Sequence, residues 1–185
     1  MKKKIIAIAM LATVALSSFA VLVGCSSEGE PVDSDPIAST KEEVLPEYYF
    51  KNNVAELDDV RIEITEYKII QPGAEGNEYG RKPVIAFWYN TTNKTGANVS
   101  PLVTWTASFT AIQDNDPNSI NELDVAMLPD DRFTRTQLET IKKDGTVEMA
   151  MAYELDDLTT PVTLVVTNGL LGEELGSQNY EIAGK

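Results

Sequence analysis

The sequence predicts an all-β fold in which about seven antiparallel strands form two sheets that pack face to face. The first observation is a two-residue period, which is clearest over residues 103–112, where apolar side chains alternate with hydroxyl side chains and indicate a half-buried strand. The second is turn chemistry, since Lys143-Asp144-Gly145 and Asn168-Gly169 suit turns that need positive φ. Together they favour an immunoglobulin-like β-sandwich.

The other strands follow from the same alternation. They are predicted at residues 60–64, 84–89, 122–128, 147–155, 162–166 and 180–182. Residues 84–89 are apolar on both faces, which predicts a central strand with Trp88 in the core. Gln71–Asn77 and Pro129-Asp130-Asp131 predict loops. Residues 133–143 fit either a short helix or a strand, and both alternatives stay open.

The composition excludes several classes of chemistry. The chain has 185 residues, with 15 Lys and Arg, 29 Asp and Glu, one Cys and no His. The lack of imidazole excludes Ser-His-Asp and Cys-His nucleophiles and the usual zinc sites, and a single Cys excludes an internal disulfide. The net charge of −14 argues against nucleic acid as a partner, because phosphate binding depends on Lys and Arg.

Residues 1–24 are predicted to be a lipoprotein signal peptide. Three lysines precede an uncharged stretch from Ile5 to Val23, and Leu22-Val23-Gly24-Cys25 resembles a lipobox. The resemblance implies that Cys25 receives a diacylglyceryl group and, after cleavage before it, anchors the mature chain in the lipid bilayer at the extracytoplasmic face of the cell membrane. An uncleaved transmembrane segment and an ordinary secretory peptide are the alternatives.

Residues 25–57 are predicted to be the lipidated Cys and an acidic flexible tether, and residues 58–185 the folded domain. Between Ser26 and Glu47 the chain holds seven acids, one Lys and three prolines. Such a segment cannot bury enough apolar surface to offset its conformational entropy. We interpret Tyr48-Tyr49-Phe50, at the end of the tether, as a segment that docks on the domain.

One loop has the residue types of a calcium site. Asp114, Asp116 and Asn118 occupy the first three ligand positions of a calcium loop, but Ser119 stands where Gly is needed and Val125 where a bidentate Glu belongs. An EF-hand is therefore excluded. The remaining interpretations are a weaker calcium site, with calcium as the metal cofactor, and a solvated loop between strands.

Two acidic pairs and the aromatic residues have both a functional and a structural interpretation. Asp130-Asp131 and Asp156-Asp157 could serve a carboxylate-dependent hydrolase, but adjacent acids in turns favour turn and surface roles. Trp88, Tyr89, Trp105 and Phe109 could form a ligand platform, but their alternation in strands favours a core role. The hydroxyl side chains of Thr104, Thr106, Ser108 and Thr110 are predicted to form an exposed face.

Short motifs in the chain resemble a family of Gram-positive lipoproteins with an uncharacterised immunoglobulin-like domain, akin to small secreted sandwiches of mycobacteria. The resemblance runs from Asp58 to Lys185, with Asp144-Gly145 in place of the family's Pro-Gly turn. It implies the sandwich fold and no catalytic residues. The matching segments are 85–93, 111–114, 144–147, 153–157 and 161–164.

The sequence therefore predicts a lipid-anchored extracytoplasmic protein that binds a partner and has no catalytic activity. The partner would be another envelope protein, a wall polymer or a host molecule. The alternatives are an accessory lipoprotein of a transporter or a cell-wall enzyme, and, less favoured, the carboxylate-dependent hydrolase. Fold alone does not separate these functions.

Overall fold

The computed structural model describes residues 46–182, which form eight strands in two antiparallel sheets. Sheet 1 has the strand order β1-β2-β3-β4-β6, and its strands are β1 (Tyr49–Lys51), β2 (Val54–Glu56), β3 (Val60–Ile70), β4 (Val84–Asn93) and β6 (Thr146–Glu154). Sheet 2 has the order β5-β7-β8, and its strands are β5 (Phe109–Gln113), β7 (Val162–Thr167) and β8 (Glu174–Tyr180). The predicted all-β sandwich is confirmed.

An aromatic cluster fills the space between the sheets. The indole of Trp105 stacks on Phe109 at 4.0 Å and on Tyr89 at 4.2 Å between ring centroids. Its Nε1 donates a 2.7 Å hydrogen bond to the hydroxyl of Tyr153, and burial raises the pKa of Tyr153 to about 12. The core interpretation of Tyr89, Trp105 and Phe109 is thus confirmed, and their packing replaces the disulfide that this chain lacks.

The predicted strand over residues 103–112 is wrong in its first half. Helix α1 (Pro101–Ser108) occupies that half, and β5 begins at Phe109. Pro101 starts the helix because its fixed φ suits the first helical position. Pro101, Trp105 and Ser108 are buried at helical spacing, whereas Val103 is 56% exposed. The hydroxyl residues therefore do not share one exposed face, since Ser108 is buried.

Helix α1 places Trp105 between the sheets, where it contacts Tyr89 of sheet 1 and Phe109 of sheet 2. The alternation of apolar and Thr residues is that of a strand, whereas burial follows the i, i+4, i+7 spacing of a helix, so the tertiary contacts of Trp105 decided the conformation against the local pattern. The hydroxyl of Thr106 bonds back to the carbonyls of Leu102 and Val103 at 3.0 and 3.2 Å. These bonds satisfy the hydroxyl of Thr106 within the helix, although bonding back to the i−4 carbonyl slightly destabilises helical backbone.

Two other segments differ from simple strands. Residues 122–128 make isolated bridges, Ile112↔Glu122 to sheet 2 and Val125↔Tyr153 to sheet 1, so this segment crosses from one sheet to the other. Residues 133–143, for which helix and strand were both open, form neither: a 3-10 helix ends at Phe133 and turns follow.

The boundary at residue 58 is also corrected, because β1 and β2 belong to sheet 1. Asn52 and Asn53 both have positive φ, which is the geometry of a two-residue hairpin turn. Phe50 is buried and packs edge-on against Phe109 at 5.7 Å. The docking role predicted for Tyr48-Tyr49-Phe50 is therefore confirmed, but as a sheet strand.

The last strand, β8, lies earlier than the predicted residues 180–182. Its polar sequence gives no sign of a strand. Leu175 to Asn179 show no apolar alternation, and β8 exists because β7 offers it a pairing edge after the Asn168-Gly169 turn. Side chains close the adjoining edge: Asn53 N–H donates to Oε1 of Gln178 at 2.9 Å, and the hydroxyl of Tyr180 donates to Oδ1 of Asn53 at 2.9 Å.

The predicted signal peptide, with Leu22, Val23, Gly24 and Cys25, lies outside the described residues, as does the tether up to residue 45. Within residues 46–182, no helix has the length and apolar character needed to cross a membrane.

Candidate functional site

A β-bulge in β3 creates the outer surface on which the candidate site lies. The register between β3 and β4 shifts between Ile64 and Glu66, so that Glu66 lies opposite Trp88. The hydroxyl of Thr65 donates to the carbonyl oxygen of Trp88 at 3.1 Å. Because the shift reverses the faces of the residues that follow, Lys68 lies outside with Trp88 while Tyr67 packs inward on Phe87 and Tyr180.

Two loops lie over this outer surface, and a buried amide organises the first. Loop 71–80 forms most of the connection from β3 to β4, and Nδ2 of Asn77 donates to the carbonyls of Ile70 (3.2 Å) and Lys82 (2.9 Å). Gly76 has φ +85°, and a Cβ there would collide with the carbonyl oxygen of Pro129 in loop 126–132. The two loops are therefore in close contact, and glycine is what allows it.

A carboxylate fastens loop 126–132 to the sheet. Nε1 of Trp88 donates to Oδ2 of Asp130 at 3.0 Å, and the guanidinium of Arg132 donates to both oxygens, with Nε at 3.0 Å from Oδ1 and Nη2 at 2.7 Å from Oδ2. These bonds, chiefly those from Arg132, lower the pKa of Asp130 to about 2. Asp130 is therefore an ionised hydrogen-bond acceptor and unsuited to be a general acid.

Together the bulge and the two loops form a groove of about 640 Å³. Trp88, which is 9% exposed, lies at its base, and the ammonium of Lys68 is 5.0 Å from the centre of the Trp88 ring. A smaller depression of about 170 Å³ continues the groove along loop 71–80, beside the exposed Tyr79 and Met127. Trp88 is buried as predicted, but it lies beneath loops and not between the sheets.

The charge of the groove is predominantly negative. Six carboxylate residues and two cationic residues line it. Lys68 pairs with Glu66 at 2.9 Å, and Arg132 pairs with Asp130. The four other carboxylates have no ion-pair partner within residues 46–182, and they are Glu75, Glu78, Asp131 and Glu148.

The residues of the predicted calcium loop lie away from this groove, in the exposed connection after β5. The carboxylate of Asp116 accepts hydrogen bonds from the hydroxyl of Ser119 (2.7 Å) and from the backbone N–H of Asn118 (2.8 Å), which lower its pKa. In the described part of the chain, no group of three acidic, His or Cys side chains is placed to hold a metal. Calcium binding at Asp114, Asp116 and Asn118 stays a prediction.

The second acidic pair organises a loop. Oδ1 of Asp157 accepts from the backbone N–H groups of Thr159 and Thr160, both at 2.7 Å, and these bonds hold the pKa of Asp157 well below its usual range. Lys82 donates to Asp156 at 2.9 Å and lowers its pKa as well. Both carboxylates are therefore ionised near neutral pH, whereas glycosidase chemistry needs one with a raised pKa.

Buried amide side chains organise several loops, and the sequence does not single them out. Gln113 is fully buried, accepts from the N–H of Asp156 at 2.7 Å and donates to the carbonyl of Thr160 at 2.9 Å. Asn93 similarly donates to the carbonyls of Ala97 and Ile141. The signal was present, since Gln113 continues the inward alternation of Phe109 and Ala111, a position where an amide must be fully hydrogen-bonded.

The model of a sequence family described as a domain of unknown function, DUF5067, matches residues 35–168. The chain belongs to this family. The match covers β1 to β7, and so includes both loops of the groove and the two strands that the predicted tether had contained. The resemblance read from the short motifs is thereby confirmed at the level of an uncharacterised family.

A solved structure shares the fold of this DUF5067 chain. It is described as a "putative lipoprotein from Staphylococcus aureus subsp. aureus NCTC 8325", and it superposes with a TM-score of 0.61 at 23% sequence identity. The alignment covers 72% of this chain and 91% of that one. At this identity the likeness concerns the fold. A search of curated proteins finds no match.

Proposed function

We propose that this DUF5067 chain is a lipid-anchored extracytoplasmic protein that binds a cationic partner in the groove above Trp88 and catalyses no reaction. The observation that carries the proposal is the groove itself: two internally bonded loops surround an aromatic base, and its free carboxylates outnumber its cations. Concave surfaces with an aromatic base and a few placed polar groups are typical binding sites.

The lipid anchor rests on the sequence and is supported by the course of the chain. The lipobox ends at Cys25, and the fold neighbour is described as a lipoprotein. Strand β1 begins at Tyr49, which pairs with Glu56 of β2, so the chain enters sheet 1 at the end where Asp58 lies. Asp58 precedes β3 and loop 71–80 follows β3. The 11 residues of this strand therefore separate Asp58 from loop 71–80 by roughly 30 Å. The groove loops therefore lie away from the end at which the anchored chain enters.

The chemistry of the ligand follows from the charges. Glu66 and Asp130 are already neutralised by Lys68 and Arg132, whereas Glu75, Glu78, Asp131 and Glu148 are not. A segment that carries Lys or Arg side chains would satisfy these carboxylates, and its affinity would fall as salt rises. An anionic polymer would be repelled by the same residues.

Binding is favoured over hydrolysis because the acids with resolved pKa shifts are shifted downward. Asp130, Asp156 and Asp157 all have lowered pKa values, each caused by donors that use the carboxylate as an acceptor. A general acid needs the opposite shift, which burial without such donors provides. These residues hold loops in place.

The test is site-specific photo-crosslinking in cells. A photoreactive side chain at Tyr79, beside the groove, should capture a partner, and one at Val103, exposed on α1, should not. Glu75→Lys with Glu78→Lys should weaken capture by about tenfold or more. The matched control, Glu122→Lys with Glu139→Lys, makes the same charge change at exposed sites outside the groove and should have little effect.

The outcomes separate the alternatives. Equal capture from Tyr79 and Val103, or equal loss in both double variants, would refute the groove as the binding site. A captured transporter or wall-synthesis protein would make this chain an accessory subunit. The anchor has its own test: mass spectrometry of the mature N-terminus should find diacylglyceryl on Cys25, and an intact signal peptide would refute it.

A further inference from the structure

The connection between β7 and β8 presents two leucines to solvent. In hairpin loop 168–173, Leu170 is 79% exposed and Leu171 is 97% exposed. Isolated exposed leucines are common, but two adjacent ones at a hairpin tip form a contiguous, highly accessible apolar surface. We call this pair the leucine tip.

The hairpin loop holds the tip in a defined conformation. The N–H of Asn168 donates to the carbonyl of Glu173 at 3.0 Å, and the hydroxyl of Thr167 donates to the carbonyl of Gly169 at 2.8 Å. Gly169 has φ +76°, and a Cβ at Gly172 would collide with the carbonyl oxygen of Asn168. These bonds hold the hairpin loop closed, and neither leucine side chain packs against the hydrophobic core of residues 46–182.

The leucine tip lies at the same end of the domain as the entry of the chain. Nδ2 of Asn168 donates to Oδ2 of Asp58 at 3.3 Å. Asp58 follows β2, and because Tyr49 of β1 pairs with Glu56 of β2, Tyr48 lies at the same end of the sheet as Asp58. The chain that precedes Tyr48 leads back to Cys25. The apolar tip and the segment that leads to the predicted acyl anchor therefore share one end, and loop 71–80 lies at the other end of β3.

We propose that the leucine tip contacts the lipid bilayer and orients the domain so that the groove faces away from it, an inference that rests on the proposed anchoring through Cys25. Acyl insertion makes a second membrane contact intramolecular, so two leucines are enough to bias orientation although they would not bind a bilayer alone. Asp58, Glu173 and Glu174 surround the tip and oppose its approach to anionic headgroups. Contact in anionic bilayers should therefore increase with salt.

The experiment uses the full lipidated chain in phosphatidylcholine vesicles. A polarity-sensitive fluorophore is attached to the cysteine of the Leu171→Cys variant. Acylated Cys25 does not react with this label, because its sulfur is bound in a thioether and is no longer a thiol. The matched control is Tyr79→Cys, which is 84% exposed on loop 71–80. We expect the label at 171 to shift to the blue and to be quenched by nitroxide lipids, while the label at 79 stays in water. Leu170→Asp in the chain labelled at 171 should reduce the shift, and thermal unfolding verifies that this exposed change leaves the fold intact.

The results test the anchoring through Cys25 and the bilayer contact of the leucine tip separately. If the chain floats with the vesicles and both labels report water, or both report lipid, the leucine tip is not an orienting contact. If Leu170→Asp folds normally and leaves the shift unchanged, the contact is not made by the leucines. If the chain fails to float, the anchoring is wrong and the tip proposal falls with it. With 30% phosphatidylglycerol, a blue shift that weakens as salt rises would also refute it, since attraction would then be electrostatic.

Discussion

The two tryptophans are buried almost equally, yet their surroundings differ in kind. Trp105 lies between the sheets among aromatic rings, and its Nε1 bonds the neutral hydroxyl of Tyr153. Trp88 lies on the outer face of sheet 1, where its Nε1 bonds ionised Asp130 and Lys68 lies over its ring. The difference shows that burial by itself does not define a core residue: one indole holds the sandwich together, and the other supports a charged groove.

The largest effect is expected at Trp105. Trp105→Ala should lower the free energy of unfolding by about 3–5 kcal/mol, because it removes stacking on both Phe109 and Tyr89 and leaves a cavity. Denaturant titration measures this. Tyr153→Phe, which removes the hydrogen-bond acceptor and leaves the rings, should cost about 1–3 kcal/mol. Equal costs for the two changes would contradict the dominance of ring packing.

Trp88→Ala should destabilise the fold by about half as much and should abolish partner capture. The indole packs against loops that can relax, so less of its burial is lost as an empty cavity. Trp88→Phe keeps the apolar base but removes the Nε1 donor to Asp130. Denaturant titration and crosslinking from position 79 distinguish the two roles, and a Trp88→Ala chain that binds normally would separate this residue from the groove's function.

Asp130→Asn is predicted to cost about 1–2 kcal/mol at neutral pH, since the charge-assisted bonds from Arg132 and Trp88 become weaker. The pKa of Asp130 is lowered to about 2 from 3.8, so its contribution is complete above about pH 4 and is lost as the pH falls towards 2. The stability gap between the natural chain and Asp130→Asn should therefore close over that interval. A constant gap would show that the charge of Asp130 is not what fastens the loop.

The smallest effect is expected at Thr65→Val, about 0.5–1.5 kcal/mol, because it removes one hydrogen bond, from the hydroxyl to the carbonyl oxygen of Trp88. Thr163→Val is the control, since it also removes one exposed hydroxyl from a strand, in sheet 2. Thermal unfolding of both variants tests whether the bulge depends on the Thr65 bond, and a larger loss in the control would contradict it.

Much of the sandwich could be predicted because strands with one buried face carry a two-residue period. β3, β4, β6 and β7 were found in this way. The pattern failed where alternation is ambiguous or absent: Pro101–Ser108 is helical although it alternates, and Glu174–Tyr180 is a strand although it is polar. In both cases the pairing edge or the neighbouring sheet, which is distant in sequence, decided the conformation.

The candidate site was less predictable than the fold. Asp130 was noted as a turn acid and Trp88 as a core residue, but nothing local joins them, because their bond spans 42 residues. Glu66 and Lys68 reach the groove through a bulge that has no distinctive sequence. The two-residue period of the sequence therefore cannot predict a charged surface that loops and a bulge bring together.

The amino-acid sequence by itself determined the all-β class, the absence of imidazole and thiol chemistry in the folded part, and the prediction of a lipid anchor at Cys25, since composition, periodicity and a short motif are local properties. Tertiary structure alone decided that β1 and β2 belong to sheet 1, that Trp88 and Asp130 meet, and that the leucine tip and the chain entry share one end. Those relations depend on contacts between residues far apart in the chain, which form when the two sheets pack.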